Sequence, residues 1–125
     1  MVAGGLIEER GPFGKDKMTR FPCPYLEAEV ELTLERESHI SERHPDLLPE
    51  HRQRIAEVLA DPEEIRRSVR FEKARLFSRW YTDIKNGKHM VVVVVSDRVV
   101  QERHWIITAY LTRKLIEGET EWSRS

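Results

Sequence analysis

The sequence predicts an α+β domain: strand, then helices, then an antiparallel meander. Three observations carry this reading. A run of strict apolar alternation occupies residues 26–35, helix signals fill residues 38–68, and two strongly β-forming runs joined by Asn86-Gly87 follow, with a third closing at Leu111.

Residues 1–24 mix Gly, Pro and alternating charge with neither helical nor strand period, so they read as an irregular N-terminal arm. From Leu26 the pattern changes. Leu26, Ala28, Val30, Leu32 and Leu34 alternate with Glu27, Glu29, Glu31, Thr33 and Glu35. A period of two lines one face of a strand, whereas a helix would scatter these apolar side chains around its circumference. Ser38 then offers an N-cap for a short helix through Arg43, which Pro45 helps to end. Residues 49–60 read as a clearer helix, since Ile55, Val58 and Leu59 form an i, i+3, i+4 stripe. Asp61-Pro62-Glu63-Glu64 has the make-up of a helix start, with Ile65 as the anchor of a short helix ending near Ser68.

The remainder reads as β. Residues 76–84 are rich in aromatic and aliphatic side chains, and Asn86-Gly87 is a strong hairpin signal leading into residues 89–96. Five consecutive valines, Val91 to Val95, suit a central strand covered on both faces. Residues 96–98 turn the chain into a last strand over residues 105–111. The segment 112–125 is polar apart from Leu115, Ile116 and Trp122, and reads as a tail.

A chain of 125 residues is long enough for one core without a disulfide or metal staple. Its single cysteine, Cys23, permits no internal disulfide and no CxxC metal site. The formal net charge of −1 supplies no global positive field for coating nucleic acid, although a local basic cleft remains compatible with it. The start, MVAGGLIEER, lacks the apolar core of a secretory leader, and the run Met90 to Val95 is too short to span a bilayer. The expectation is a cytoplasmic protein with no membrane association.

Two clusters have chemistry in them. The first is His39-Ile40-Ser41-Glu42-Arg43-His44-Pro45. On a helix His39 and Arg43 are i and i+4 and share a face, with His44 pointing elsewhere. An imidazole can accept the proton of a ribose 2′-OH near neutral pH, and a guanidinium fork can hold phosphate oxygens. The same residues also suit a solvated helix end. The second cluster is Trp105-Ile106-Ile107-Thr108-Ala109-Tyr110. Strand alternation puts Ile106, Thr108 and Tyr110 on one face and Trp105, Ile107 and Ala109 on the other. Two adjacent hydroxyls can bind a phosphate, but Thr and Tyr are also ordinary strand formers. Arg79, Lys88 and Arg103 are candidates for lining a basic cleft, and Trp80 and Tyr81 for stacking a base. His51, His89 and His104 show no metal-ligand spacing, and no metal or other cofactor is expected.

Taken together, the HIxxRHP segment (His39 to Pro45), the DP start at Asp61 with Ile65, and the closing ITAY (Ile107 to Tyr110) resemble the phage and bacterial barnase–EndoU–colicin–RelE-like nucleases. The resemblance covers residues 25–113. It implies short helices on a four-stranded antiparallel sheet whose open face holds RNA. It also implies a metal-independent endoribonuclease, of a group that includes many toxins, leaving a 2′,3′-cyclic phosphate. By that pattern His39 is the principal acid/base residue, Arg43 supports phosphate, and Thr108 and Tyr110 complete the site. His44, Arg79 and Lys88 are candidate substrate-binding residues. The implied partners are an RNA substrate and an antitoxin or immunity protein. Three features depart from the pattern: no second base is assigned, the near-neutral net charge is unlike a strongly RNA-avid toxin, and the strand at Leu26 to Leu34 precedes the helices. A non-catalytic RNA- or protein-binding relative therefore stands as the alternative, as does a domain whose clusters are purely structural.

Overall fold

The computed structural model describes residues 18–71 and 73–124. In chain order the elements are β1 (Met18–Cys23), a 3-10 turn (Pro24–Leu26), β2 (Ala28–Thr33), α1 (Leu34–Arg43), α2 (Arg52–Ala60), β3 (Glu64–Arg67), β4 (Ala74–Tyr81), β5 (Lys88–Asp97), β6 (Arg103–Thr112) and β7 (Glu119–Ser123). The class is α+β, as expected, but the sheet has seven strands in the order β1-β2-β6-β5-β4-β3-β7. All neighbours are antiparallel except β2 and β6, which run side by side in parallel and are in ladder register at a single pair, Glu31 and Trp105.

β5 is the central strand, and the valine run is buried on both sides. Met90, Val92 and Val94 enter the main core with Phe77 and Ile65 of the neighbouring strands and with Ile55, Val58 and Leu59 of α2. Val91 and Val93 face the other way, into a smaller cluster with Ala74 and Leu76, backed by Ile107, Tyr110 and Leu115. At about 1.5–3 kcal/mol for each fully buried aliphatic side chain, this strand anchors both cores.

Several boundaries differ from expectation. The alternation that begins at Leu26 yields a strand only over Ala28–Thr33. Thr33 then caps α1 by accepting a hydrogen bond from the Arg36 N–H at 3.1 Å, five residues before the Ser38 cap anticipated for this helix. Glu35 and Glu37 in its first turn complement the helix dipole, so Leu34 and Glu35 are helical. α2 starts at Arg52 rather than Pro49.

The segment after Asp61 is a strand, β3, instead of a helix: Ile65 pairs with Phe77 and sits at the bottom of the core. Its four residues find backbone partners on β4 and β7, which a single helical turn would lack. Part of the presumed irregular arm, Met18–Cys23, is β1, with Phe21 and Cys23 buried; residues 1–17 of the arm lie outside the described residues. Part of the presumed tail is β7, which adds to β3.

The connection from β4 to β5 is longer than a two-residue hairpin. Gly87 N–H donates to the Ile84 carbonyl at 2.8 Å around Lys85 and Asn86, whose φ values of 47° and 66° are those of a type I′ turn. Gly87 follows at φ 104°, and a Cβ there would lie 2.4 Å from Cζ2 of Trp80. Gly87→Ala is therefore expected to destabilise the fold by at least about 1–2 kcal/mol in urea titrations.

β7 is fastened by one carboxylate. Glu121 accepts hydrogen bonds from Tyr25 (2.5 Å), Arg67 (2.9 Å) and Arg75 (2.9 Å), joining the 3-10 turn, β3 and β4. Partial burial pushes the Glu121 carboxyl upward, but the bonds from Tyr25 and Arg75 and the charges of Arg75 and Arg67 outweigh it and hold the group below its ordinary value of 4.5. A depressed carboxyl stabilises the fold above its ordinary value, and this contribution is lost as pH falls through the folded value. Glu121→Gln is expected to lower stability at pH 7 by about 1–2 kcal/mol and to flatten its fall below pH ~4.5. An unchanged acid limb in pH-dependent urea titrations would contradict that assignment.

Candidate functional site

α1 runs beside β6. Arg36 Nη1 donates to the Ile107 carbonyl at 3.5 Å, and eight residues later the His44 ring lies 6.3 Å from that of Tyr110, centroid to centroid. The helix advances about 12 Å over that interval and the strand about 10 Å, so the two elements stay in step. This arrangement brings the first sequence cluster to the second.

The imidazole that reaches β6 is that of His44, which sits at the C-cap of α1 with its backbone N–H donating to the Ile40 carbonyl at 2.7 Å. The geometry of the helix places the others. With buried Ile40 as zero, Ser41 and Glu37 lie about 100° and 60° to one side. There they bond the Leu48 carbonyl and Arg52 respectively. Arg36, Arg43 and His39 lie about 40°, 60° and 100° to the opposite side, the side from which Arg36 reaches β6. His39 and Arg43 are exposed, and no side-chain hydrogen bond, ion pair or ring contact ties either to another described residue.

β6 carries a correction. A register shift between Val93 and Val94 pairs Val93 with Thr108 but Val94 with Ile106. Thr108 and Tyr110 share a face, as alternation predicts, whereas Ile106 turns into the main core with Ala109 and Ile107 moves to the Tyr110 side. The bulge thus replaces one apolar neighbour of Thr108 with another.

Two hollows open on this face, on either side of Tyr110. One, of about 220 Å³, is lined by Arg66, Ser78, Thr112, Lys114 and Glu117 over an apolar floor that includes Leu76 and Val91. The other, of about 160 Å³, includes Thr108, Ser68, Arg70 and Phe71. Tyr110 Oη donates to Glu117 at 3.1 Å. Burial, then the Glu117 charge and this bond, push the phenol well above its ordinary value of 10, so the hydroxyl stays protonated and serves as a donor. Arg66 donates to Glu64 at 2.8 Å and to the Glu117 carbonyl at 3.4 Å, which holds the segment after β6 against β3. Beside the larger hollow, His89 pairs across the sheet with Thr112 and stacks edge-on against Trp80 at 4.8 Å. Burial pushes the His89 imidazole below its ordinary 6.5, which favours the neutral ring.

The other sequence candidates lie elsewhere. Arg79 pairs with Met90 and shares the helix-covered face, where its guanidinium bonds the Asp61 carboxylate at 3.1 Å and the Asp61 carbonyl at 2.8 Å. Lys88 is in register with Tyr81 on that same face, so strand parity removes both from the Tyr110 side. Tyr81 is likewise engaged there, donating to Glu57 at 2.7 Å. Arg103 donates to Glu31 at 2.9 Å and stacks over Trp105. Sequence reading passed over Arg66, Lys114 and Glu117. Arg66 fell in a presumed helix, and the other two in a presumed tail that carried no periodic signal.

Among the described residues no group of three or more His, Cys, Asp or Glu is placed to hold a metal ion, and no helix is long and apolar enough to cross a membrane. No family model matches the chain, and no curated protein or solved structure matches it.

The three phenols of the chain offer a direct check on the local electrostatics, because those of Tyr25, Tyr81 and Tyr110 all lie above the ordinary value of 10. Spectrophotometric titration is expected to show no tyrosine ionising at or below pH 10. Glu117→Gln is expected to move one phenol downward, since the carboxylate is the charge that faces Tyr110; an unmoved titration curve would exclude that pairing.

Proposed function

We propose that the chain is an endoribonuclease of the barnase–EndoU–colicin–RelE-like kind, with RNA lying over the face of the sheet that carries Tyr110. The observation that carries the reading is the 6.3 Å approach of the His44 and Tyr110 rings, which joins the HIxxRHP helix to the ITAY strand, where Tyr110 borders two largely apolar hollows with polar side chains at their rims. Tyr110 lines both hollows, of about 220 and 160 Å³, so a phosphate held at its hydroxyl would have one of them on either side.

In this reading His44 takes the principal acid/base role that sequence alone gave to His39. Its imidazole accepts the 2′-OH proton as the oxygen attacks the adjacent phosphorus, and the 5′-oxygen leaves, giving a 2′,3′-cyclic phosphate. Tyr110, held protonated, turns its one O–H from Glu117 to a phosphate oxygen when RNA is bound. Arg43, on the neighbouring flank of α1, and Lys114, at the larger hollow, supply positive charge for the transition state. Thr108 adds a hydroxyl, and the departing 5′-oxygen takes its proton from water. The route uses side chains and water, so it needs no metal.

The test is cleavage of a short oligoribonucleotide with EDTA present, beside the same sequence bearing 2′-fluoro substituents. The natural RNA is expected to be cut to cyclic-phosphate ends and the fluoro analogue to survive. His44→Ala is expected to slow cleavage by about 10²–10³-fold and His39→Ala by less. A parent that leaves RNA intact, or a His44→Ala protein that cuts at the parental rate, would refute the proposal. Binding without cleavage would instead favour the non-catalytic relative of the same fold.

A further inference from the structure

A second constellation sits on the helix-covered face, at the other end of β5 and β6. Ser96 and His104 are directly opposite each other across these strands. Ser96 Oγ lies 2.6 Å from His104 Nδ1, and His104 Nε2 lies 3.0 Å from Glu102 Oε2. His104 is 3% exposed, and it is one of only two polar side chains in the buried set of the described residues. All three residues line one groove of about 790 Å³, bordered by Tyr25, Lys73, Arg75 and Arg98.

The proton positions follow from the partners. An ionised carboxylate only accepts, so Nε2 carries the hydrogen and donates it to Glu102. Nδ1 is then the lone-pair nitrogen, and the 2.6 Å contact is a bond donated by the Ser96 hydroxyl. A serine whose proton is committed to an imidazole, itself oriented by a carboxylate, is the arrangement of an activated nucleophile. The two ring nitrogens have exchanged roles relative to the usual serine–histidine–acid order, and the logic is unchanged. A pairing that served only to staple β5 to β6 would not require an exposed groove along all three groups. Ser96 lies five residues from Val91, the partner of Tyr110, so about 17 Å of strand separates this site from the RNA-face hollows.

We propose that Ser96, His104 and Glu102 form a second site, a serine nucleophile acting on carboxylic esters with small acyl groups. Ser96 Oγ attacks the ester carbonyl carbon while its proton passes to His104 Nδ1. The carbon–oxygen bond to the alcohol breaks, and the departing alcohol takes that proton. Water then repeats the sequence on the acyl-serine, so ester and water become acid and alcohol. Lys73 and Arg98 supply positive charge at the groove for the oxyanion. Their contacts with Asp97 and Glu102 are long, at 3.9 and 3.7 Å, which leaves them open to a new anion. Glu102 is a positioning residue that fixes the ring tautomer.

The experiment is labelling of the full chain with an alkyl fluorophosphonate, in which the Ser96 Oγ–P bond forms, the P–F bond breaks and fluoride leaves. One adduct is expected, mapped to Ser96 by peptide mass spectrometry and absent from Ser96→Ala. Glu102→Gln, at a largely exposed position, is expected to keep the fold by circular dichroism and yet slow labelling by at least ~10-fold. No adduct on the folded parent, an adduct on another residue, or a Glu102→Gln protein labelled at the parental rate would each overturn the proposal. Should Ser96→Ala fail to fold, the mapped position on the parent and the Glu102→Gln rate still decide the matter.

Discussion

The burial of β5 on both faces is the constraint on which the rest of the molecule depends. Met90, Val92 and Val94 need a cover on one side, which α2 and the strands bearing Phe77 and Ile65 provide. Val91 and Val93 need one on the other, and receive it from Leu76, Ile107, Tyr110 and Leu115. An antiparallel strand with one wet face would not impose the second cover. Here the second cover has to be built from the end of β6 and the segment after it, and those same residues line the hollows beside Tyr110. The smaller core and the candidate RNA face are thus one structure.

The placement of α1 follows from the way β2 meets β6. The two strands run parallel but are in ladder register only at Glu31 and Trp105, and the far end of β6 runs on past β2. α1 fills that flank: Ile40 drops into the core, and Arg36 satisfies the Ile107 carbonyl that a further strand would otherwise engage. Carrying the HIxxRHP cluster along β6 to Tyr110 is a consequence of closing the sheet edge. Both proposed sites use the same two strands at opposite ends, and alternate parity keeps their side chains on opposite faces.

Charge is distributed by the same logic. Arg67, Arg75, Arg79 and Arg54 are engaged by Glu121, Asp61 and Asp83, and they secure the ends of β3, β4 and β7. Arg43 is left without a described partner on the flank of α1 that borders β6. A chain of nearly balanced charge can still present local positive potential where, as at these arginines, part of its acidic complement is taken up in structural pairs.

How much could be read in advance depends on whether a signal is local. The valine run, the alternation around Val30 and the i, i+3, i+4 stripe of α2 each state their own structure, because periodicity fixes which side chains share a face. Those residues determined the α+β class, the central strand and the helix, while the His39–Pro45 and Trp105–Tyr110 segments stood out by the imidazole, guanidinium and hydroxyl groups they carry. β3 and β7 carry no such period: four or five residues become strand only when neighbouring edges supply hydrogen-bond partners. For that reason Asp61-Pro62 looked like a helix start and residues 112–125 like a tail. The β6 bulge is equally invisible locally, since it depends on register with β5, and it decided that Ile107 rather than Ile106 flanks Thr108. The choice of His44 over His39 beside Tyr110 came from the end of α1, where φ −133° and ψ 69° take His44 off the helical path. Composition and order determined which elements form; only long-range pairing determined which chemical groups meet, because strand parity and helix rotation are set by partners distant in the chain.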